Sequence, residues 1–265
     1  MKIIETEKTV LFKFDKLSKN SDINHFVSSR ILKKSNYDLN ISLESGSEKN
    51  IIIDNRKILS EAVKIPLENF VMQNQVHGNK VSIITKHDKG KGVYEHKTAI
   101  TDSDAMITDI PGICLFIFAA DCVPVLFFDT EKKVAGAAHS GWKGTVKNIS
   151  GKTVKKMNET FGSKPENIIA CIAPHISGKN YETGENVVTE VRKVFDDTTE
   201  LLKLNRKTGK YHFNLENAVK HQLIKSGIPE NNIETSGYCT FDDNNLFFSA
   251  RKKDAGRFGA GIMIL

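Results

Sequence analysis

Three residues in this 265-residue chain are of types and in settings that could do chemistry. They are His77 in Gln75-Val76-His77-Gly78, Cys122 in Ala119-Ala120-Asp121-Cys122-Val123-Pro124, and His139 in Ala138-His139-Ser140-Gly141-Trp142-Lys143-Gly144. Each stands where an apolar run gives way to a loop. A strand end fixes a side chain, and the loop beyond it leaves room for substrate. Two imidazoles and a thiolate form a donor set for zinc, and three protein ligands leave a fourth position for water or substrate. Other readings stand beside this one. Cys122 as nucleophile with His139 as base would make a Cys–His hydrolase. A His-His-Cys set with a distant axial Met would suit copper. A multicopper oxidase also needs paired His-x-His motifs, and the eight histidines form none. Taken singly, a buried cysteine is a small core residue and a loop histidine a satisfied polar group.

The remaining motifs point elsewhere. Ser150-Gly151-Lys152-Thr153 resembles the end of a phosphate-binding loop, but Val146 stands where the first glycine belongs, so the segment reads as helix interior. Gly256, Gly259 and Gly261 lack the dinucleotide-binding spacing and context. Asp102 and Asp104 read as a capped turn before a strand. His87 and His175 have no partner pattern and read as surface residues.

The elements that must hold the three residues follow from periodicity. The spacing predicts helices over 51–63, 145–161, 185–195 and 215–225, the last with Asn214 as N-cap and Gly227 as stop. Strands are expected over 70–72, 81–85, 134–138, 168–173, 233–240, 246–249 and 259–265. The apolar stretch Pro111–Phe128 is long enough to suggest a membrane span, but Asp121 and two prolines interrupt it. It reads as two buried strands broken at 119–122. Strands in blocks with helices between them imply an α+β chain with mixed sheets. No linker or repeat divides residues 1–265, so one domain is expected.

Composition is that of a globular protein, with 39% hydrophobic and 26% charged residues. The net charge of +6 is spread over scattered lysines, which favours a solvated basic surface over a nucleic-acid face. The first fifteen residues lack the apolar core of a signal peptide, and the four cysteines form no CxxC pair. A cytoplasmic protein with reduced thiols, bound to neither membrane nor nucleic acid, is the expectation.

Taken together, the segments QVHG, AADCVP and HSGWKG resemble the QVHG, ADC-P and HAGWRG motifs of the laccase-domain family, also described as multicopper polyphenol oxidase-like or peptidoglycan-editing-factor proteins. Asp102–Ala105, Ile172–Pro174 with Tyr181–Gly184, and Phe248–Arg251 with Gly256-Arg257 extend the resemblance over about residues 25–265. The resemblance implies four layers, α/β/β/α, with two packed mixed sheets. It implies zinc, rather than copper, on His77, Cys122 and His139. It also implies phosphorolysis of adenosine, inosine, guanosine and methylthioadenosine, together with adenosine deamination. Arg30 and Arg251 match family positions near the site and are the expected phosphate holders. The peptidoglycan label implies an alternative, an amidase with Cys122 as nucleophile, and the laccase label a copper polyphenol oxidase. The chain departs from the family at Ile31-Leu32, where Gly-Gly is usual, at Lys143, where Arg is usual, and at Lys179-Asn180, where a cysteine pair is usual.

Overall fold

The long apolar stretch forms the expected pair of strands, Cys114–Ala119 and Val123–Asp129, in the computed structural model, which describes residues 1–265. Both strands are apolar up to the terminal Asp129 because each is covered on both faces. Side chains alternate across a strand. Leu115 and Ile117 therefore enter a core between two sheets, while Cys114 and Phe116 enter a second core under the helix Lys49–Val63. In the next strand Leu126 and Phe128 join the core between the sheets. Val125 and Phe127 join a third, beneath the helices Ile149–Phe161, Glu185–Val194 and Leu215–Lys225. Burying each such side chain stabilises by about 1.5–3 kcal/mol.

Three cores separate four layers: helix, sheet, sheet, helices. The first sheet has six strands in the order Lys2–Glu5, Thr9–Lys13, Ile23–Leu32, Phe258–Ile264, Cys114–Ala119 and Phe70–Met72, with only the last pair parallel. The second runs Ile233–Thr235, Ile168–Ile172, Val123–Asp129, Val134–Ser140, Ala105–Thr108 and Val81–Ile83, with both outermost pairs parallel. A small antiparallel sheet, Glu182–Thr183, Tyr211–Phe213 and Leu202–Leu204, packs beside it. No helix is long and apolar enough to cross a membrane.

Four expectations need correction. The helix expected over 145–161 is two, Trp142–Val146 and Ile149–Phe161, because Asn148 adopts a left-handed φ of 59° that breaks the first. The strand expected over 233–240 stops at Thr235, two residues before Gly237 turns the chain with φ 74°. Residues 246–249 are buried but not a strand: Phe247 and Phe248 fill the core between the sheets and lead into the short turn Ala250–Lys252. His175 is buried, its Nδ1 2.8 Å from the Ala173 carbonyl and its Nε2 3.5 Å from Glu216.

Candidate metal centre

One end of the second sheet gathers the site. Val123–Asp129 and Val134–Ser140 are a hairpin with Pro124 opposite His139, so Cys122, just before the first strand, lies beside the end of the second. Val134–Ser140 also pairs with Ala105–Thr108, Ala138 opposite Ala105, which brings Asp104 against His139. His77 arrives from the other sheet, on the loop after Phe70–Met72. That loop is held by Gln75, whose carboxamide accepts from the Phe118 N–H at 2.8 Å and donates to the Phe118 carbonyl at 2.9 Å.

Asp104 organises the donors. It is fully buried, and its carboxylate accepts from the backbone N–H groups of His77 at 2.9 Å, Gly78 at 2.6 Å and Val76 at 3.3 Å. These bonds stabilise His77 in a left-handed φ of 58°, an unusual conformation for a non-glycine residue. The same carboxylate takes His139 Nδ1 at 2.9 Å. The neutral imidazole is thereby fixed as the Nδ1–H tautomer, the form whose Nε2 lone pair can face a metal ion. Burial alone would raise the Asp104 pKa, but His139 and the backbone amides hold it below the usual carboxylate range.

The three donor atoms of His77, Cys122 and His139 lie within 4.8 Å of one another, with Cys122 Sγ 3.8 Å from His77 Nε2. The two imidazoles meet edge-on, centroids 4.9 Å apart. A tetrahedral zinc ion sets nitrogen and sulfur ligands roughly 3.4–3.6 Å apart. The cluster is slightly looser than that, and it could hold a metal ion after small side-chain movements. Burial pushes the Cys122 thiol up, but the charge of His139 and hydrogen bonds with His139 and His77 outweigh it and hold the thiol at about 6. His139 is raised: the charge of Cys122 and the Asp104 hydrogen bond overcome its burial. Gly141 is required here, since a Cβ would stand 2.8 Å from Cys122 Sγ and 3.0 Å from His77 Cδ2.

The cluster opens into a cavity of about 630 Å³ whose lining includes Tyr181, Arg251, Lys253 and Arg257. Arg251 donates through both terminal nitrogens to the Glu182 carbonyl at 3.0 Å and lies over the Tyr181 ring, 5.2 Å from its centroid. Neither Arg251 nor Arg257 has a carboxylate within ion-pair distance. Asp121 ties this cation to the cluster: it adopts φ 88°, and its carboxylate accepts from the Arg251 N–H at 2.7 Å and the Thr240 hydroxyl at 2.6 Å.

Arg30 is not brought to this cavity. Its guanidinium pairs with Asp38 and Asp254, stacks 4.5 Å over Phe248 and lines a separate surface cleft. Two carboxylates already neutralise it, which overturns its expected place beside the cluster. Along the chain Asp104 reads as a turn cap, and nothing in the sequence singles out Asp121 or Arg257 as site residues. The signal for Asp104 is its position one residue before a short strand, Ala105–Thr108, that is buried throughout.

Comparison with known proteins agrees with this architecture. The family described as "Multi-copper polyphenol oxidoreductase laccase" matches residues 24–265. A protein of Bacteroides thetaiotaomicron named purine nucleoside phosphorylase is 34% identical over 95% of each chain. Purine nucleoside phosphorylase YlmD of Bacillus subtilis is 34% identical over 83% of this chain and 79% of its own. Adenosine deaminase RL5, from an unknown prokaryotic organism, is 30% identical over 82% of this chain and 83% of its own. Among solved structures, YlmD from Geobacillus stearothermophilus superposes with a TM-score of 0.91 at 29% identity, covering 98% of this chain and 97% of that one. Bacillus licheniformis YfiH gives 0.91 at 28% identity, covering 98% of both chains. With the four layers, the clustered donors and a match over residues 24–265, the chain belongs to the multi-copper polyphenol oxidoreductase laccase family.

Proposed function

We propose that this protein cleaves purine nucleosides with phosphate and deaminates adenosine, both at a zinc ion held by His77, Cys122 and His139. The observation that carries the reading is the convergence of these donors on one cavity wall, with His139 oriented by Asp104 and an open side toward unpaired cations. When bound, zinc supplies Lewis acidity and brings the pKa of water at its open position toward neutrality. The protein's own groups do the rest. Asp104 fixes the His139 tautomer and the His77 backbone, so the ligand atoms need little reorganisation. Arg251 and Arg257 attract phosphate and hold it for attack on the sugar; Arg251 can exchange the neutral Glu182 carbonyl for an anion. The cavity shields both substrates from bulk water and supplies proximity. Adenosine, inosine, guanosine and methylthioadenosine are the substrates of this reading.

A second reading has its own observation. With Asp104 on one side of His139 and a thiol of depressed pKa on the other, the cluster also has the order carboxylate, imidazole, thiolate of an activated nucleophile. An amidase acting on cell-wall precursors would use it. A nucleoside panel incubated with and without phosphate, read by chromatography, separates the two. Release of hypoxanthine from inosine only with phosphate, and conversion of adenosine to inosine without it, support the first. Cleavage of a muramyl-peptide amide with no release of base supports the second.

A further inference from the structure

We infer that Gln73 and Arg56 form the end of the cavity that reads the polar edge of a purine ring, an inference resting on the nucleoside reading above. Gln73 follows the strand Phe70–Met72, lines the cavity and is 2% exposed. Both its Nε2 and its Oε1 are buried without a hydrogen-bond partner. Buried polar side chains are nearly always satisfied, and an idle carboxamide destabilises the fold that contains it. Packing gives no reason for polarity here: Met72, Ala99 and Phe118 line the same cavity, and a leucine has nearly the same bulk as glutamine.

Arg56 reaches the cavity from the helix Lys49–Val63 and is also 2% exposed. Its Nε donates to the Ile41 carbonyl and its Nη1 to the carbonyls of Gly92 and Val93. Its Nη2 donates to nothing, and no carboxylate lies within ion-pair distance. The guanidinium carbon stands 5.5 Å from the centroid of Phe118, an aromatic ring that also lines the cavity.

A spare guanidinium nitrogen and a carboxamide with free donor and acceptor match one kind of ligand edge. Guanidinium pairs with the O6 and N7 acceptors of a 6-oxopurine, and a carboxamide pairs with N6 and N7 of a 6-aminopurine. The terminal amide torsion is soft, so a turn that exchanges donor and acceptor lets Gln73 serve both. One residue would thus admit adenosine and inosine to the same site. A bare anion would satisfy Arg56 and leave Gln73 Oε1 without a donor; phosphate has Arg251 and Arg257.

The test uses the zinc-loaded full chain and the variants Gln73→Leu and Gln73→Glu. Gln73→Leu is expected to melt at or above the wild-type temperature. It should weaken hypoxanthine binding and raise the inosine KM by roughly tenfold or more, with the phosphate KM within about twofold of wild type. Gln73→Glu presents acceptors only, so it should shift preference from hypoxanthine toward adenine by roughly tenfold. A structural role would move neither preference. If wild type cleaves inosine while Gln73→Leu matches it in hypoxanthine affinity and inosine KM, the inference falls and the nucleoside reading stands. If Gln73→Leu melts several degrees lower, Gln73 is structural and the inference falls. If wild type binds neither inosine nor hypoxanthine, both fall.

Discussion

A carboxylate that touches no substrate governs the site's geometry. Asp104 accepts from three consecutive N–H groups and from His139 Nδ1. Asp104→Asn removes the charge and turns an NH2 group toward one of these donors. Loss of such an outer partner costs a metal site about 10–100-fold in affinity, and competition with a chelating dye should show a fall of that size. Gly141→Ala is expected to loosen the metal as well, because its Cβ would stand 2.8 Å from Cys122 Sγ. Equal affinities in variant and wild type would show that the cluster can shift to make room. At this scale the sequence was legible where chemistry restricts residue type: a histidine and a cysteine at strand ends and a second histidine on a loop. It was illegible where role depends on who sits opposite. Arg30 and Arg251 look alike along the chain, yet Asp38 and Asp254 neutralise only the first.

Among the elements, the strand Phe258–Ile264 crosses the first sheet with almost no side-chain volume to spare. A Cβ on Gly259 would lie 2.2 Å from Phe116 Cζ and 2.7 Å from the Ile117 carbonyl. Gly259→Ala should destabilise by about 1–3 kcal/mol, the usual cost of overpacking, read from denaturant midpoints. In the neighbouring strand Ile23–Leu32, buried His25 accepts from the Phe14 N–H at 2.9 Å, which requires neutral Nε2. Burial, reinforced by the charge of Lys13, pulls its pKa down to about 3. The unfolded chain binds this proton near pH 6.5, so the unfolded state holds more protons between about 6.5 and 3, and stability falls as pH falls through that window. From pH 6.5 to 4 wild type should lose about 3 kcal/mol more than His25→Gln, on the order of 1.36 kcal/mol per pH unit. Equal losses would show that His25 is not the titrating group. Central strands were legible because burial on both faces writes an unbroken apolar run. Phe247 and Phe248 misled for the same reason: apolar residues report burial, and only the neighbouring turn decides whether the chain is extended.

For the whole molecule, the stacked sheets bring the His77 loop from one sheet onto strand ends of the other, so the donor cluster exists only when both are packed. The layer order followed from resemblance to a family, because no local pattern states which sheet face meets which helix. On the function proposed above, this packing creates one zinc site. Elemental analysis of protein purified in metal-free buffer, wild type beside Cys122→Ala, tests it most directly. Wild type should carry close to one zinc per chain and the variant little, with both proteins folded by circular dichroism. Copper in place of zinc, or full loading of Cys122→Ala, would contradict it.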